Sequence, residues 1–406
     1  MGLEIQSIIL IGGLFLLLAL GIEIGPAMGI VAGFGLLFFV HQPLDYFVRA
    51  AFDIMNSFTL TAIPLFIFMG TLYATTGTVR ALFTGGEKIL GHLPGGLASA
   101  MIIANAIFGA ISGSSIAATA TFGRICFPEM EKAGYHPKLA LGAIAISGTL
   151  DVLIPPSVIM IVYGGWLDVS VARLFAGGII PGIILAIFFI ITVTILVMRN
   201  PQLAPRSTTK FSRREKMKVS LDLLPFVVII ALVLGTIFTG IMTPTESAAL
   251  GALLAIILAL IYRQMSFGAI KESMMTAVNI SAMIAFVLFA ARMLGQVFQY
   301  IGLTDAVAEF MLGLPLGKYS MYAIVCILYI ILGCFFDSFS MLVLTLPFVT
   351  PIMKNMGFDL VWFGIAYVVL AEIGLVTPPF VSAFLSLKGW CRNMKSPTSL
   401  RVPFRS

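Results

Sequence analysis

Long, unbroken apolar runs dominate the chain, near residues 8–22, 26–40, 58–75, 97–127, 139–162, 174–198, 223–239, 247–262, 277–300, 319–352 and 359–387. A bilayer core needs about 20 helical residues. The runs are continuous rather than alternating, which predicts membrane helices and excludes barrel strands of about ten alternating residues. Two runs are interrupted. Gly109, Ser112, Gly113, Ser114 and Ser115 break 97–127, and Gly333, Asp337, Ser338 and Ser340 break 319–352. Each half of these runs is too short to cross, so each predicts a re-entrant hairpin that returns to its own side.

Composition points the same way. A length of 406 residues could hold two or three soluble domains, but 60% of the residues are hydrophobic and 10% charged. Soluble domains carry roughly 25% charged residues. Mean hydropathy is +1.08, so this is an integral membrane protein, and disorder, which needs low hydrophobicity and high charge, is excluded. The net charge of +6 does not imply nucleic acid, because its largest cluster lies between two apolar blocks. Cys126, Cys326, Cys334 and Cys391 have no motif spacing, and His41, His92 and His136 are not spaced as metal ligands. Residues 1–7 hold Glu4 but no Lys or Arg. The basic start of a signal peptide is therefore missing, and the first run reads as the first membrane helix.

Basic residues set the orientation. Arg199, Arg206, Lys210, Arg213, Arg214, Lys216 and Lys218 place 199–220 in the cytoplasm. The 239–246 loop has no Lys or Arg and lies outside, and Arg263 and Lys271 place the next loop inside. Counting along the chain puts the N-terminus outside. The first hairpin then enters from the cytoplasm and the second from the opposite side.

An internal repeat accompanies this inversion. Pro128-Glu-Met-Glu-Lys-Ala-Gly134-Tyr135 echoes Pro351-Ile-Met-Lys-Asn-Met-Gly357-Phe358, and the same spacing carries Pro155-Pro156 onto Pro378-Pro379. Upstream, Gly109 pairs with Gly333 and Leu93-Pro94 with Leu314-Pro315. Each half reads as helix, hairpin, short Pro/Gly loop, then a helix broken at Pro-Pro. Inverted repeats with broken helices mark secondary transporters. Proline removes a backbone donor, and the freed carbonyls and helix ends can hold a small cation and a carboxylate.

Ser112-Gly113-Ser114-Ser115 forms the first tip, where glycine allows close backbone approach and hydroxyls supply neutral oxygens; tight helix packing is the alternative use of small residues. The facing broken helix reads Ser147-Gly148-Thr149-Leu150-Asp151-Val-Leu-Ile-Pro155-Pro156-Ser157. In the second half the counterparts are Asp337-Ser338 and Glu372-Ile-Gly374-Leu-Val-Thr377-Pro378-Pro379. Asp337 either coordinates Na⁺ or hydrogen-bonds the backbone of its own hairpin, and Glu372 poses the same choice. Arg292 is expected to snorkel to an interface. Thr243-Pro244-Thr245-Glu246 reads as a helix start. No nucleophile–base set, P-loop or metal motif is present, so the chain is not read as an enzyme.

Together, Ile63-Pro64-Leu65-Phe66, Gly95-Gly96-Leu97-Ala98, Phe108-Gly109-Ala110-Ile111-Ser112-Gly113-Ser114-Ser115, Pro128-x-Met130-x3-Gly134-Tyr135, Ile154-Pro155-Pro156-Ser157, Thr243-Pro244-Thr245-Glu246 and Thr377-Pro378-Pro379 resemble the large permease subunit of TRAP (tripartite ATP-independent periplasmic) transporters, the DctM-like family. The resemblance covers roughly residues 1–379. It implies an all-α polytopic membrane protein, an inverted-repeat elevator-type transporter with two re-entrant hairpins and two broken helices. It implies three partners besides the bilayer: a small four-helix membrane subunit, an extracytoplasmic solute-binding protein and an organic-acid substrate such as a C4-dicarboxylate or a sialic acid. Na⁺ is then the coupling ion, with no other cofactor, and the location is the cytoplasmic membrane of a bacterium or archaeon. Carried over by position, Ser112, Ser114, Gly148 and Thr149 would hold one Na⁺, and Gly333, Asp337, Gly374 and Thr377 another. The substrate would lie between the tips, near Gly113, Ser115, Ser157 and Ser338.

The resulting organisation has scaffold helices in 1–57 and 223–262, repeats in 58–198 and 263–379, and a cytoplasmic basic loop at 199–222. Two features depart from the family pattern. Asp151 stands where the family has glycine. Residues 380–406 form an atypical, basic tail in place of a last helix. A stand-alone Na⁺/carboxylate symporter and a truncated, inactive permease are the alternative functions.

Overall fold

The computed structural model describes residues 2–40, 45–75, 78–113, 115–205, 212–263 and 265–377. The predicted tail at 380–406 lies outside the described residues, as do Ser114, Pro378 and Pro379. Among the described residues the regular structure is entirely helical. The first half runs α1 (Leu3–Ala19), α2 (Ile24–Gly35, prolonged by a π-helical turn), α3 (Asp45–Met55), α4 (Ala62–Thr75), α5 (Thr78–Leu90), α6 (Gly96–Ser112), α7 (Ser115–Lys132), α8 (Pro137–Gly148), α9 (Leu150–Leu153), α10 (Val158–Leu167) and α11 (Val171–Arg199). The second runs α12 (Arg213–Phe238), α13 (Pro244–Ile261), α14 (Phe267–Tyr300), α15 (Leu303–Leu312), α16 (Lys318–Gly333), α17 (Ser338–Asn355) and α18 (Leu360–Val376).

Local chemistry sets several of these boundaries. Thr243, Pro244 and Glu246 start α13 as the sequence predicts. The Glu246 amide donates to Thr243 Oγ1, and the Thr243 amide donates to Glu246 Oε2 at 2.8 Å, a reciprocal cap that satisfies two orphan donors. Ser212 and Glu215 build the same device at α12. As a result, residues 213–222 are helix and the basic loop is shorter than the charge run suggests. Three short helices, α3, α5 and α15, lie outside the apolar runs. Their apolar residues are interleaved with charges such as Arg49, Asp53, Glu87, Lys88, Asp305 and Glu309, as in a helix with one apolar stripe.

The helix order shows more of the repeat than the sequence did. The succession from α4 to α8 recurs from α14 to α18, and α12 and α13 precede the second set as α1 and α2 precede the first. The long α14 occupies the place of α3 and α4 together.

Two packed groups result. In one, α6 and α7 clasp α8 and α9, α16 and α17 clasp α18, and α18 packs on α9, α10 and α11. The halves are tied where the Tyr163 hydroxyl donates to the Leu360 carbonyl at 2.7 Å. In the other group, α14 packs on α2, α3 and α4, and α13 packs on α4 and α12. The apolar stretch Pro137–Leu167 is almost wholly buried, whereas α11 turns Ile180, Ile183, Ile187, Phe188 and Ile191 outward. Outward apolar surface of this extent is what a lipid-facing helix presents, so the chain is a multi-pass membrane protein.

Candidate functional site

The site is built where two hairpin turns meet the break between α8 and α10 and the C-terminal end of α18. At the first turn, α6 ends at Ser112 and the Gly113 amide returns to the Gly109 carbonyl at 3.1 Å. Gly113 has φ of +62°, and a Cβ there would lie 3.0 Å from the Pro156 carbonyl oxygen. Only glycine meets both demands. Ser115 then opens α7.

The first broken helix stops at Gly148. Thr149 Oγ1 donates to the Ile146 carbonyl at 2.6 Å, α9 adds one turn, Ile154 is extended, the Pro155–Pro156 peptide is cis, and α10 begins at Val158. Gly148 lies beneath Thr119, and a Cβ there would sit 3.1 Å from the Ser115 carbonyl oxygen. Ser157, expected beside the substrate, is fully buried and caps α10, its Oγ accepting from the Met160 amide at 3.4 Å. The cap satisfies an orphan N–H of a helix start inside the membrane.

The second half repeats this contact. Gly333 ends α16 against Gly374 of α18: a Cβ on either would fall 2.7 Å from the other's Cα. Of the two roles left open for Asp337, the structure displays the backbone one: Oδ2 accepts from the Phe339 and Ser340 amides at 3.0 and 3.1 Å, capping α17. Ser338 Oγ donates to Glu372 Oε1 at 2.8 Å, and the Tyr367 hydroxyl donates to the Ser338 carbonyl. Glu372 is buried, so the second tip is pinned to α18 by a hydrogen bond with a carboxyl acceptor. Thr377 is extended and its hydroxyl donates to the Ile373 carbonyl at 2.6 Å.

Between the two tips lies a cavity of about 1260 Å³. Gly113 and Ser115 reach it from the first tip; Asp337, Ser338 and Ser340 reach it from the second; α2, α4 and α14 form the opposite wall. Gly148, Thr149, Gly333 and Gly374 are not among its lining residues; Gly148 packs on Ser115 and Thr119, and Gly333 on Gly374. Three charged residues that the sequence reading passed over also line the cavity: Arg124 on α7, Glu23 and Glu272. The available signal for Arg124 was its isolation inside an apolar run.

Arg292 of α14 meets an aromatic ring. Its guanidinium lies 5.6 Å from the centroid of the Trp166 ring, within cation–π range. It lines a second cavity of about 220 Å³ with Asp53, Ser57 and Asp168. The planar charge thus has an aromatic protein partner, Trp166 of α10.

With this geometry in place, comparison with known proteins is informative. The family described as tripartite ATP-independent periplasmic transporter, DctM component, matches residues 11–393. An isethionate TRAP transporter permease protein of Oleidesulfovibrio alaskensis is 32% identical over 91% of this chain, which spans 58% of that longer relative. The C4-dicarboxylate TRAP transporter large permease of Pseudomonas aeruginosa is 31% identical, covering 87% of this chain and 82% of its own. The sialic acid TRAP large permease of Vibrio cholerae is 28% identical over 89% of this chain and 84% of that one. Among solved structures, the YdaH transporter of Alcanivorax borkumensis shares the fold, with a TM-score of 0.55, 15% identity, and 84% of this chain and 79% of that one covered. The chain belongs to the DctM family, the large permease subunits of TRAP transporters.

Proposed function

We propose that this chain is the permease subunit of a Na⁺-coupled tripartite symporter in the cytoplasmic membrane, importing an organic acid handed over by an extracytoplasmic binding protein, with a small four-helix membrane subunit at its side. The observation that carries the reading is the cavity bounded by both hairpin tips and lined by Arg124. An organic anion entering lipid depth must exchange its hydration for fixed donors and cations. Arg124 offers a fork that matches a carboxylate, Ser115 and Ser340 offer hydroxyls, and Ser338, whose own hydroxyl is held by Glu372, would have to release it to join them.

The coupling ions belong at the tip–break contacts behind the cavity. One set is Ser112, Ser114, Gly148 and Thr149, and the other is Gly333, Asp337, Gly374 and Thr377. Glycines there let backbone approach backbone closely, and backbone oxygens are the ligand type a hard monovalent ion takes. Ion binding would then hold each tip against its break and complete the substrate site between them. The binding order follows: Na⁺ shapes the tips, and the anion enters afterwards.

By the distribution of basic loops, Lys271 and its neighbour Glu272 lie on the cytoplasmic side, and the N-terminus is periplasmic. Glu23 and Glu272, which line the cavity, would then lie toward the cytoplasm, as an inward-facing state requires. For alternating access, the hairpin group (α6–α10 with α16–α18) would slide as one body past α2, α4, α13 and α14, an elevator motion with the hairpins re-entrant. The packing of Tyr163 on Leu360 and Gly364 supports movement of both halves as a unit.

Uptake into proteoliposomes tests the reading. The vesicles hold this chain with its small subunit and receive binding protein loaded with candidate C4-dicarboxylates or sialic acids. An inward Na⁺ gradient is expected to drive accumulation that choline does not support. Equal uptake in both salts, or none with any organic acid, overturns it.

A further inference from the structure

We propose that Glu372 and Tyr367 are positioning residues: from α18 they clamp Ser338 by its hydroxyl and its carbonyl, and so leave Ser340 as the serine that the second tip presents to the organic anion. The inference rests on the reading of the cavity as the substrate site. It goes further by giving the two tip serines different work and by assigning two buried residues of α18 a part in transport.

Two groups of Ser338 are held from α18. Its Oγ donates to Glu372 Oε1 at 2.8 Å, and its carbonyl accepts from the Tyr367 hydroxyl. Glu372 is 3% exposed and its Oε2 has no hydrogen-bond partner, so among the described residues the tip serine is the one hydrogen-bond partner of this carboxyl group. Tyr367 is held in turn by the hairpin. The Tyr329 ring of α16 meets it edge-on with 5.0 Å between centroids, and the Tyr329 hydroxyl shares a hydrogen bond with Thr345 of α17 at 3.0 Å. All of these side chains are buried. Ser340 is placed differently. Two residues along an α-helix are a rotation of about 200°, so with Ser338 turned to α18, Ser340 turns away from it. Both serines line the cavity, but the Ser338 hydroxyl is spent on Glu372, while that of Ser340 has no partner among the described residues.

The first half lacks this pair of anchors at the equivalent positions. The spacing that carries Pro155-Pro156 onto Pro378-Pro379 puts Ser115, Ile144 and Thr149 in the places of Ser338, Tyr367 and Glu372. Helices α7 and α17 support that register: each has 18 residues, and they begin at Ser115 and Ser338. Ile144 has no polar group, and Thr149 gives its hydroxyl to the Ile146 carbonyl of its own helix. An ionisable residue inside a membrane is costly and is kept for function, and one whose hydrogen bond goes to a tip serine acts through that serine. A tip held in one position presents Ser340 already placed. A loose tip lowers apparent affinity by the fraction of chains in which it is docked.

The test reads the tip and the transport separately. The full chain, purified with its small subunit, is followed by amide exchange across residues 337–341, and Na⁺-driven uptake from loaded binding protein gives KM and kcat. Glu372→Leu is expected to speed exchange there and to raise KM, each at least about tenfold and with kcat little changed, because a hydrogen bond to a carboxyl group is worth about that factor. Glu372→Gln, whose amide oxygen still accepts from Ser338, is expected to match the wild type in both. Tyr367→Phe removes one hydroxyl only and is the second variant should the leucine fold poorly; it is expected to move both readings the same way by less. Ser340→Ala is expected to raise KM and leave exchange alone. Wild-type exchange in both Glu372→Leu and Tyr367→Phe overturns the clamp. A glutamine variant as damaged as the leucine one overturns hydrogen-bond acceptance as the role of Glu372, and a wild-type KM in Ser340→Ala overturns its assignment to the anion. A wild-type chain that takes up no organic acid overturns the transport reading and the role of Ser340 with it, while exchange still decides the clamp.

Discussion

Replacing Gly374 with alanine tests the close contact between α16 and α18. A Cβ at that position would lie 2.7 Å from the Gly333 Cα, 3.1 Å from its carbonyl carbon and 3.3 Å from the Ile330 carbonyl oxygen. Carbon atoms rest at roughly 3.5–4.0 Å, so α16 would have to retreat by about 1 Å. All three atoms are backbone of one helix, and no rotamer change can relieve the clash. Overpacking of this kind costs about 1–3 kcal/mol, and the upper end applies where nothing flexible yields. Alanine also gains up to about 1 kcal/mol of helix propensity over glycine, leaving a net loss of roughly 2 kcal/mol. At tenfold per 1.4 kcal/mol, that shifts the docked hairpin population by more than about twentyfold. Gly142→Ala is the control: it lies within α8 with nothing inside 4 Å of its added methyl, and it is expected to be neutral or stabilising by about 0.4–1 kcal/mol. Thermal melts of the purified variants and Na⁺-driven uptake are the assays. Gly374→Ala should melt lower and transport poorly while Gly142→Ala does neither. Indistinguishable melts and uptake for the two alanines would refute the claim that this backbone contact organises the site.

Three further outcomes are expected. Arg124→Gln should leave the melting temperature nearly unchanged, because the side chain is exposed to the cavity, yet weaken apparent substrate affinity at least about tenfold by removing a charge-assisted contact; wild-type uptake kinetics would remove Arg124 from the substrate site. Asp337→Ala deletes the cap of α17, costing about 1 kcal/mol, and should also weaken Na⁺ dependence; an unchanged half-saturating Na⁺ in a stably expressed variant would confine Asp337 to capping. The amide and hydroxyl of Ser212 hold the Glu215 carboxyl below the usual carboxylate range. A lowered folded value contributes stability above the ordinary range that is lost as pH falls through it. Amide exchange in the first turn of α12, corrected for intrinsic rate, should therefore accelerate on acidification, and Glu215→Gln should remove that pH response; an identical profile in the variant would disprove the device.

Much of this protein is written in signals that act within one or two turns. Apolar run length separates membrane helices from soluble ones. Gly113 in the left-handed region ends α6, and the Thr243-x-x-Glu246 spacing starts α13. The Pro-Pro pairs and their common spacing disclosed a repeat because proline disrupts a helix wherever it falls. Helices α3, α5 and α15 escaped for the converse reason: their charges interrupt the apolar run, and only packing against neighbours rewards the apolar stripe that remains.

Tertiary structure decided everything that depends on which faces meet. Arg124 reads as one charge in an apolar stretch until α7 is set opposite α2 and α14, when it becomes a cavity residue. Ser157 reads as a hydroxyl beside a break until α10 claims it as a cap. The pairings of Gly109 with Asp151 and Gly333 with Gly374 join residues some forty positions apart. No local propensity encodes such a contact: it exists because one hairpin packs against α9 and the other against α18, and at those points there is room for hydrogen atoms or, once, for a carboxylate.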